Sequence, residues 1–536
     1  MTTRPAVLEL HPGPTAPGAG AGRRSRRPVA PVLVLAGVLV GVALLLPLVF
    51  LLVQAAQTGG HLLSELLFRH LTAVLLWNTV ALTAVVTVTS AVIGTAAAYV
   101  TERTDVPGRR VLSALLVLPV AVPDFVIAWG WVSLVPSLQG LAGASLVLTL
   151  GLYPLVYLPV AASLRSADPA QEEVARSLGH GPLRTFWSVT LRHARLALLG
   201  GCLLVALYLL AEYGAFSILR YQTFTTEIFT EFQIGFNTPA ASALSLVLVA
   251  LGVAVLSGET FSARSSRRGR PQARARGLTR ARLGRATVPV VAAMAVLMAL
   301  ALGVPVWEIC YWSASDQRTA LPAASSLASA AWHTALYSGS AAAVATVTAL
   351  PVAILAVRHR GHLAVALERT CLLVQALPGL VVALALVFFA VRYARFSYQS
   401  APLLVAAYAV MFFPRALVAV QASVARVPVA LEEVARSLGR KPRAVLVRVT
   451  LPLVLPGLLA AFFLVFLTAV TELTATLVLV PTGVQTLATQ FWAYSNEFSY
   501  GAAAPFAAAM LGVAVVPTYL LGRWFDRLPS RAVPIT

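Results

Sequence analysis

From about residue 30 onward the chain alternates long apolar stretches with short polar connectors that carry arginine. A helix that crosses a bilayer needs about twenty mostly apolar residues. Such stretches fall at approximately 30–54, 74–100, 111–135, 141–164, 194–215 and 239–258, and again at 288–313, 328–357, 364–391, 401–421, 453–480 and 500–521. Prolines interrupt or shorten the third, fourth, ninth and tenth. Backbone inside lipid must satisfy its own hydrogen bonds, so the pattern predicts an all-α membrane protein of about 12 transmembrane helices.

The arginines orient these spans. Those at 23, 24, 26 and 27, at 103, 109 and 110, at 358, 360 and 369, in the 264–285 segment and at 523, 527 and 531 all fall on one side if twelve spans are counted. The intervening stretch 221–237 carries almost none. Arginine-rich loops stay cytoplasmic, which puts both termini inside. Val29–Val53 is too long for a signal-peptide core and reads as an uncleaved first span. The expected organisation is a disordered cytoplasmic arm (1–28), a first transmembrane half (29–258), a basic cytoplasmic linker (259–287), a second transmembrane half (288–522) and a cytoplasmic tail (523–536). Six spans per half set both halves the same way up, as a parallel repeat.

Composition sharpens this reading. Of 536 residues, 59% are hydrophobic and 11% charged, against about 25% charged in soluble domains. The formal charge of +20 lies in short arginine runs between apolar stretches. No basic patch interleaved with aromatics is present, so nucleic acid is not the expected partner; a lipid bilayer is. Cys202, Cys310 and Cys371 sit in or beside apolar stretches, and no CxxC pair or metal-ligand spacing occurs, so neither disulfide nor metal nor cofactor is expected. No nucleophile–base set suggests an enzyme.

The halves also match in sequence. Glu172-Glu173-Val174-Ala175-Arg176-Ser177-Leu178-Gly179 recurs unchanged as Glu432-Glu433-Val434-Ala435-Arg436-Ser437-Leu438-Gly439. Trp77-Asn78-Thr79 is echoed by Trp332-His333-Thr334, and Pro119 and Pro123 by Pro378. Each octapeptide lies between the fourth and fifth spans of its half and reads as a short helix with defined ends. In the first copy Asp168 is placed as N-cap, Pro169 as first helical residue and Gln171 as the partner in a capping box. Glu172 and Glu173 suit the first turn, Gly179 supplies the stop, and Pro182 opens a second helix. The second copy repeats the plan with Pro428, Gly439 and Pro442, but Val427 stands at its N-cap position. An ordinary interfacial helix is the alternative; recurrence in both halves favours a shared docking role.

Glu173-x-Ala175-x3-Gly179 followed by Val189-Thr190-Leu191, and more closely Glu433-x-Ala435-x3-Gly439 followed by Val449-Thr450-Leu451-Pro452, resemble the "EAA" loop of ABC importer permeases. Arg192 stands where the family pattern has proline, which is expected to bend the first exit differently. The resemblance covers about 70–258 and 325–521 and implies two type I ABC importer-like halves in a prokaryotic plasma (inner) membrane. It also implies coupling residues at Glu172, Glu173, Ala175, Gly179, Glu432, Glu433, Ala435 and Gly439. The implied partners are two copies of a cytoplasmic ATP-binding subunit and an external substrate-binding protein. A P-loop needs Gly-Lys before Ser or Thr; the one lysine, Lys441, lies between Arg440 and Pro442.

Glu212 and Glu472 each follow Glu173 and Glu433 by 39 positions, near the outer end of an apolar span. They are read either as pathway or gate groups or, preferably, as caps where the span breaks. Asp124 is a further pathway or gate candidate; Gly379 occupies its equivalent place. Tyr221-Gln222-Thr223-Phe224-Thr225-Thr226-Glu227-Ile228 and the Leu118–Val126 segment are similar to ferric-iron-type permeases. The expected function is thus a ferric-iron importer permease, with thiamine or phosphonate as alternative cargo. A 6+6 secondary transporter is the competing class, but it would normally carry mid-membrane ionisable groups for ion coupling.

The arginine distribution yields a direct topological test. A reporter fused at Arg270 should be accessible only from the cytoplasm. Accessibility from outside alone would reject the twelve-span arrangement.

Overall fold

A computed structural model describes residues 31–167, 170–264, 280–315, 322–359 and 361–527. Among these residues nine helices are long and apolar enough to cross a membrane, and two sharply bent helix pairs bring the number to eleven. The twelfth expected span falls on helix Tyr500–Arg527, of which Tyr500–Ala514 is apolar. The arm 1–28, Asp168, Pro169, Arg360, linker residues 265–279 and tail residues 528–536 lie outside the described residues.

The order of elements repeats. In the first half the spans are Pro31–Gln57, His70–Arg103, the bent pair Arg109–Ala121 and Asp124–Leu134, Gly140–Ser166, Leu191–Ala211 and Thr238–Arg264. In the second they are Gly284–Ala314, Ala324–His359, the bent pair His362–Gln375 and Gly379–Tyr393, Ala401–Arg426, Leu451–Val470 and Tyr500–Arg527. The bends in the third and ninth spans are 93° and 105°, at Pro123 and Pro378. Proline lacks an amide donor and disfavours helix in the residue before it, so the breaks fall where the sequence places them. The fourth and tenth spans behave differently. Pro154 and Pro159, and Pro414, sit inside continuous helices of 27 and 26 residues, because neighbouring helices tolerate a proline inside a packed bundle.

Two hydrophobic cores form, and each crosses the boundary between halves. One joins second-half residues to Leu44 and Leu51 of the first span. The other joins first-half residues to Ala301 and Ile309 of the seventh. The first span of each half therefore packs onto the other half, with Phe50 edge-on to Phe389 and Tyr393.

The fourth span of the first half is gripped closely on two sides. A Cβ at Gly94 would lie 2.8 Å from Tyr153 O, and one at Gly201 would lie 2.8 Å from Val156 Cα. Bare backbone is what allows the second and fifth spans to approach so near, as at small-residue helix contacts in membranes. Gly94→Leu should destabilise the bundle by about 1–3 kcal/mol through overpacking. A lower midpoint in a thermal-unfolding scan of the detergent-solubilised protein checks this, and an unchanged midpoint would contradict it.

Candidate functional site

Each octapeptide forms the predicted short helix, Ala170–Ser177 and Val429–Ser437. The stops are alike. Gly179 N donates to Arg176 O at 3.0 Å and His180 N to Ala175 O at 3.1 Å; Gly439 N donates to Arg436 O at 2.9 Å and Arg440 N to Ala435 O at 3.2 Å. This paired pattern closes a helix around a left-handed residue, and φ is +81° at Gly179 and +79° at Gly439. A Cβ at either glycine would meet nothing within 4 Å, so the requirement is conformational and not steric.

Two sequence expectations change here. The capping box of Asp168 and Gln171 rests on a residue outside the described ones; Gln171 Oε1 faces His193 Nε2 in the fifth span. Pro428 is itself the N-cap of the second helix, which begins at Val429. Arg192 leaves the first exit unaltered: both copies run through a short helix and a five-residue π turn, Phe186–Thr190 and Leu446–Thr450, into Leu191 and Leu451.

The two glutamates of each motif divide their work. Glu172 is buried; Arg103 Nη2 lies 3.4 Å from its Oε1, and Thr190 Oγ1 donates to Oε1 at 2.9 Å. Glu432 is likewise buried, 3.2 Å from Arg358 Nη2 and bonded by Thr450 Oγ1 at 3.2 Å. Each glutamate thus ties its short helix to the end of the second span and to the start of the fifth. Thr190 and Thr450 stand in the repeated motif and Arg103 and Arg358 among the orienting arginines, but nothing local in the sequence pairs them with these glutamates.

The pair differs in completeness. Arg358 also donates to Val427 O at 2.9 Å. Arg103 Nε and Nη1 find no acceptor among the described residues, while its backbone carbonyl accepts from Ala281 N at 2.9 Å, which joins the end of the linker to this lock.

Glu173 and Glu433 point outward on the same helices. Between the carboxylates the helices present bare apolar ridges: Val174 and Leu178 are 58% and 73% exposed, Val434 and Leu438 57% and 77%. Residues four apart share one helix face, so each motif carries a matched two-residue knob. Ala175 is buried under the helix, with Ala435 half-buried at the equivalent place.

At the other end of the fifth span, Glu212 Oε1 accepts from Ala215 N at 2.8 Å, and Glu472 Oε1 from Ala475 N at 3.0 Å. Each carboxylate meets the first turn of a short helix, Gly214–Ile218 or Thr474–Leu479. The two turns abut, since a Cβ at Gly214 would lie 2.8 Å from Leu473 Cδ2. Asp124 is buried at the start of its helix. The repeated Trp-x-Thr element has a structural task. Thr79 and Thr334 accept from the amides of Phe224 and Leu487, which begin the capped helices Phe224–Gln233 and Leu487–Asn496. Another ionisable group was not singled out from the sequence: Glu308, buried on the seventh span, accepts from Ser133 Oγ at 2.8 Å and Trp312 Nε1 at 3.0 Å. It belongs to the contact between halves.

Residues 90–268 and 345–533 each match one family, described as binding-protein-dependent transport system inner membrane component. The chain belongs to this family and is a multi-pass membrane protein of permease type, all-α and of double length. It is 36% identical to the Fe(3+)-transport system permease protein FbpB 2 of Haemophilus influenzae over 91% of this chain and 97% of that protein. It is 32% identical to sulfate permease 2, chloroplastic, of Chlamydomonas reinhardtii over 31% of this chain and 50% of that one. It is also 29% identical to the sulfate transport system permease protein CysT of Salmonella typhimurium over 42% of this chain and 89% of that one.

Removing one partner of a buried ion pair costs about 3–5 kcal/mol because the other is left uncompensated. Glu172→Gln and Glu432→Gln should therefore loosen their short helices while the spans stay folded. Limited proteolysis should then cut near residues 178–181 or 438–441 at least tenfold faster, and wild-type cleavage rates would refute the lock.

Proposed function

We propose that this chain is the translocation subunit of an ATP-driven ferric-iron importer, fed by an external binding protein and driven by two ATP-hydrolysing subunits in the cytoplasm. The observation that carries the reading is the pair of identical, glycine-terminated helices. Each is fixed by a buried carboxylate and offers a bare Val–Leu ridge beside an outward glutamate. An apolar ridge rimmed by charge is the form of a surface made for a partner, and two such ridges accommodate two copies of one partner.

The ATPase must be a separate polypeptide, because the sequence holds no P-loop. Glu173 and Glu433 stand where they can meet basic groups on it. Both termini and the linker lie on the same side as these helices by the arginine count, so the docking face is cytoplasmic. Ferric iron as cargo is supported by the relative named for Fe(3+) transport, which aligns along nearly the whole chain, whereas the sulfate permeases align over less than half of it.

The Gly179→Asp/Gly439→Asp double variant tests the coupling role. A side chain at φ near +80° strains the stop by roughly 1 kcal/mol or more. The variant should insert normally, lose co-purifying ATPase, and show no substrate-stimulated hydrolysis. Normal retention with normal stimulation would remove the main support for an importer. Deletion of the gene should abolish uptake of ferric ion; loss of thiamine or phosphonate uptake instead would reassign the cargo.

A further inference from the structure

The two halves share one fold, yet they place unlike charges where they meet. Glu212 and Glu472 are equivalent, and their capped turns touch. Asp124 adds a carboxylate in the first half that acts electrostatically on Glu212. At the equivalent place in the second half stands Gly379, where a Cβ would lie 3.4 Å from Glu472 Oε1. Arg415 follows Pro414 in the tenth span and faces Glu472 and Tyr208, whereas Leu155 follows Pro154 in the fourth. Tyr208 in turn hydrogen-bonds Asp124 and lies within electrostatic reach of Glu212 and Glu472. Three carboxylates and one guanidinium thus gather on the boundary.

Two observations separate this cluster from ordinary structural charge. Glu212 and Glu472 keep accessible surface and Arg415 is exposed, although Tyr213, Leu473, Phe413 and Ala416 beside them in the chain are buried. Surface that is accessible but walled by protein belongs to a crevice and not to the lipid face. Asp124 is 5% exposed; Tyr208 hydrogen-bonds its carboxyl group, yet Oδ2 has no hydrogen-bond partner within 3.5 Å among the described residues, so one oxygen stays open to a ligand. Ionised groups held inside a membrane protein line cavities and ion paths, because lipid cannot solvate them.

We propose that this crevice, formed by Asp124, Tyr208, Glu212, Glu472 and Arg415, is a transit station for a hard trivalent cation. This deepens the ferric-iron reading and rests on it. Carboxylate oxygens suit such an ion and repel an oxyanion. Among the described residues no three carboxylate, histidine or cysteine side chains converge closely enough to hold a metal, so the station attracts without caging. Passage needs that balance: binding favourable enough to admit the ion and weak enough to release it. Arg415 sets it by placing one guanidinium among the three carboxyl groups.

The test uses the complete complex of permease, ATPase and binding protein in proteoliposomes, with radiolabelled ferric ion carried by the binding protein. Asp124→Asn should lower the maximal uptake rate at least tenfold. The binding-protein concentration for half-maximal rate and the stimulated ATPase should stay within twofold of wild type, so that the cycle turns without cargo. Asp124→Glu should restore uptake to within threefold. Arg415→Gln should leave the purified complex retaining about one gallium ion after incubation with the metal alone and desalting, where wild type retains none. Wild-type uptake in Asp124→Asn would overturn the station. Loss of ATPase stimulation in both Asp124 variants would assign the residue a structural role and overturn it equally. A wild-type complex that stimulates its ATPase yet carries no iron would instead sink the ferric reading beneath it.

Discussion

A carboxylate withdrawn from water must be met by a donor or a counter-charge, and the places where this chain meets that demand hold its architecture together. Glu172 and Glu432 are met by arginine and threonine from two other segments. Glu308 is met by a serine across the boundary between halves and a tryptophan on its own helix. Glu212 and Glu472 are met by backbone amides. The bonds to Glu172, Glu432 and Glu308 draw together segments far apart in sequence. In a bundle whose lipid-facing surface gains little from apolar packing, such polar ties specify which helices neighbour which. Asp124 is the exception with an oxygen left unmet, and it stands where the halves join.

What local periodicity encodes, the sequence displayed. Apolar length predicted the spans, prolines marked four of them as interrupted or shortened and two of those break, and the octapeptide with its glycine predicted a short, stopped helix. These features depend on residues within a turn or two of each other. The exchange of first spans between halves left no such trace, because both Pro31–Gln57 and Gly284–Ala314 are apolar nearly all round and the pattern does not say which half they cover. The partners of Glu172 and Glu432 were hidden for the same reason: Arg103 lies 69 positions before its glutamate and Arg358 lies 74 before its own. The contact of Gln171 with His193, 22 positions on, was hidden in the same way.

The lock and the boundary cluster are the two ends of one element. Thr190 bonds Glu172 at the entry to helix Leu191–Ala211, and Glu212 follows directly at its exit. A helix of 21 residues spans about 30 Å at 1.5 Å per residue, close to the thickness of a bilayer core. The second half repeats the arrangement from Thr450 through Leu451–Val470 to Glu472. Under the proposed reading, a force applied to either motif helix enters the fifth or eleventh span through a buried threonine–glutamate hydrogen bond, not through a flexible loop. It leaves at turns that touch each other across the boundary. A straight, hydrogen-bonded helix shortens little under load, so displacement at one end must appear at the other as tilt or translation. The abutting Glu212 and Glu472 turns therefore cannot stay in register unless both motif helices move together. A symmetric pair of cytoplasmic partners closing on both ridges would meet that condition, and a single partner on one ridge would shear the boundary instead.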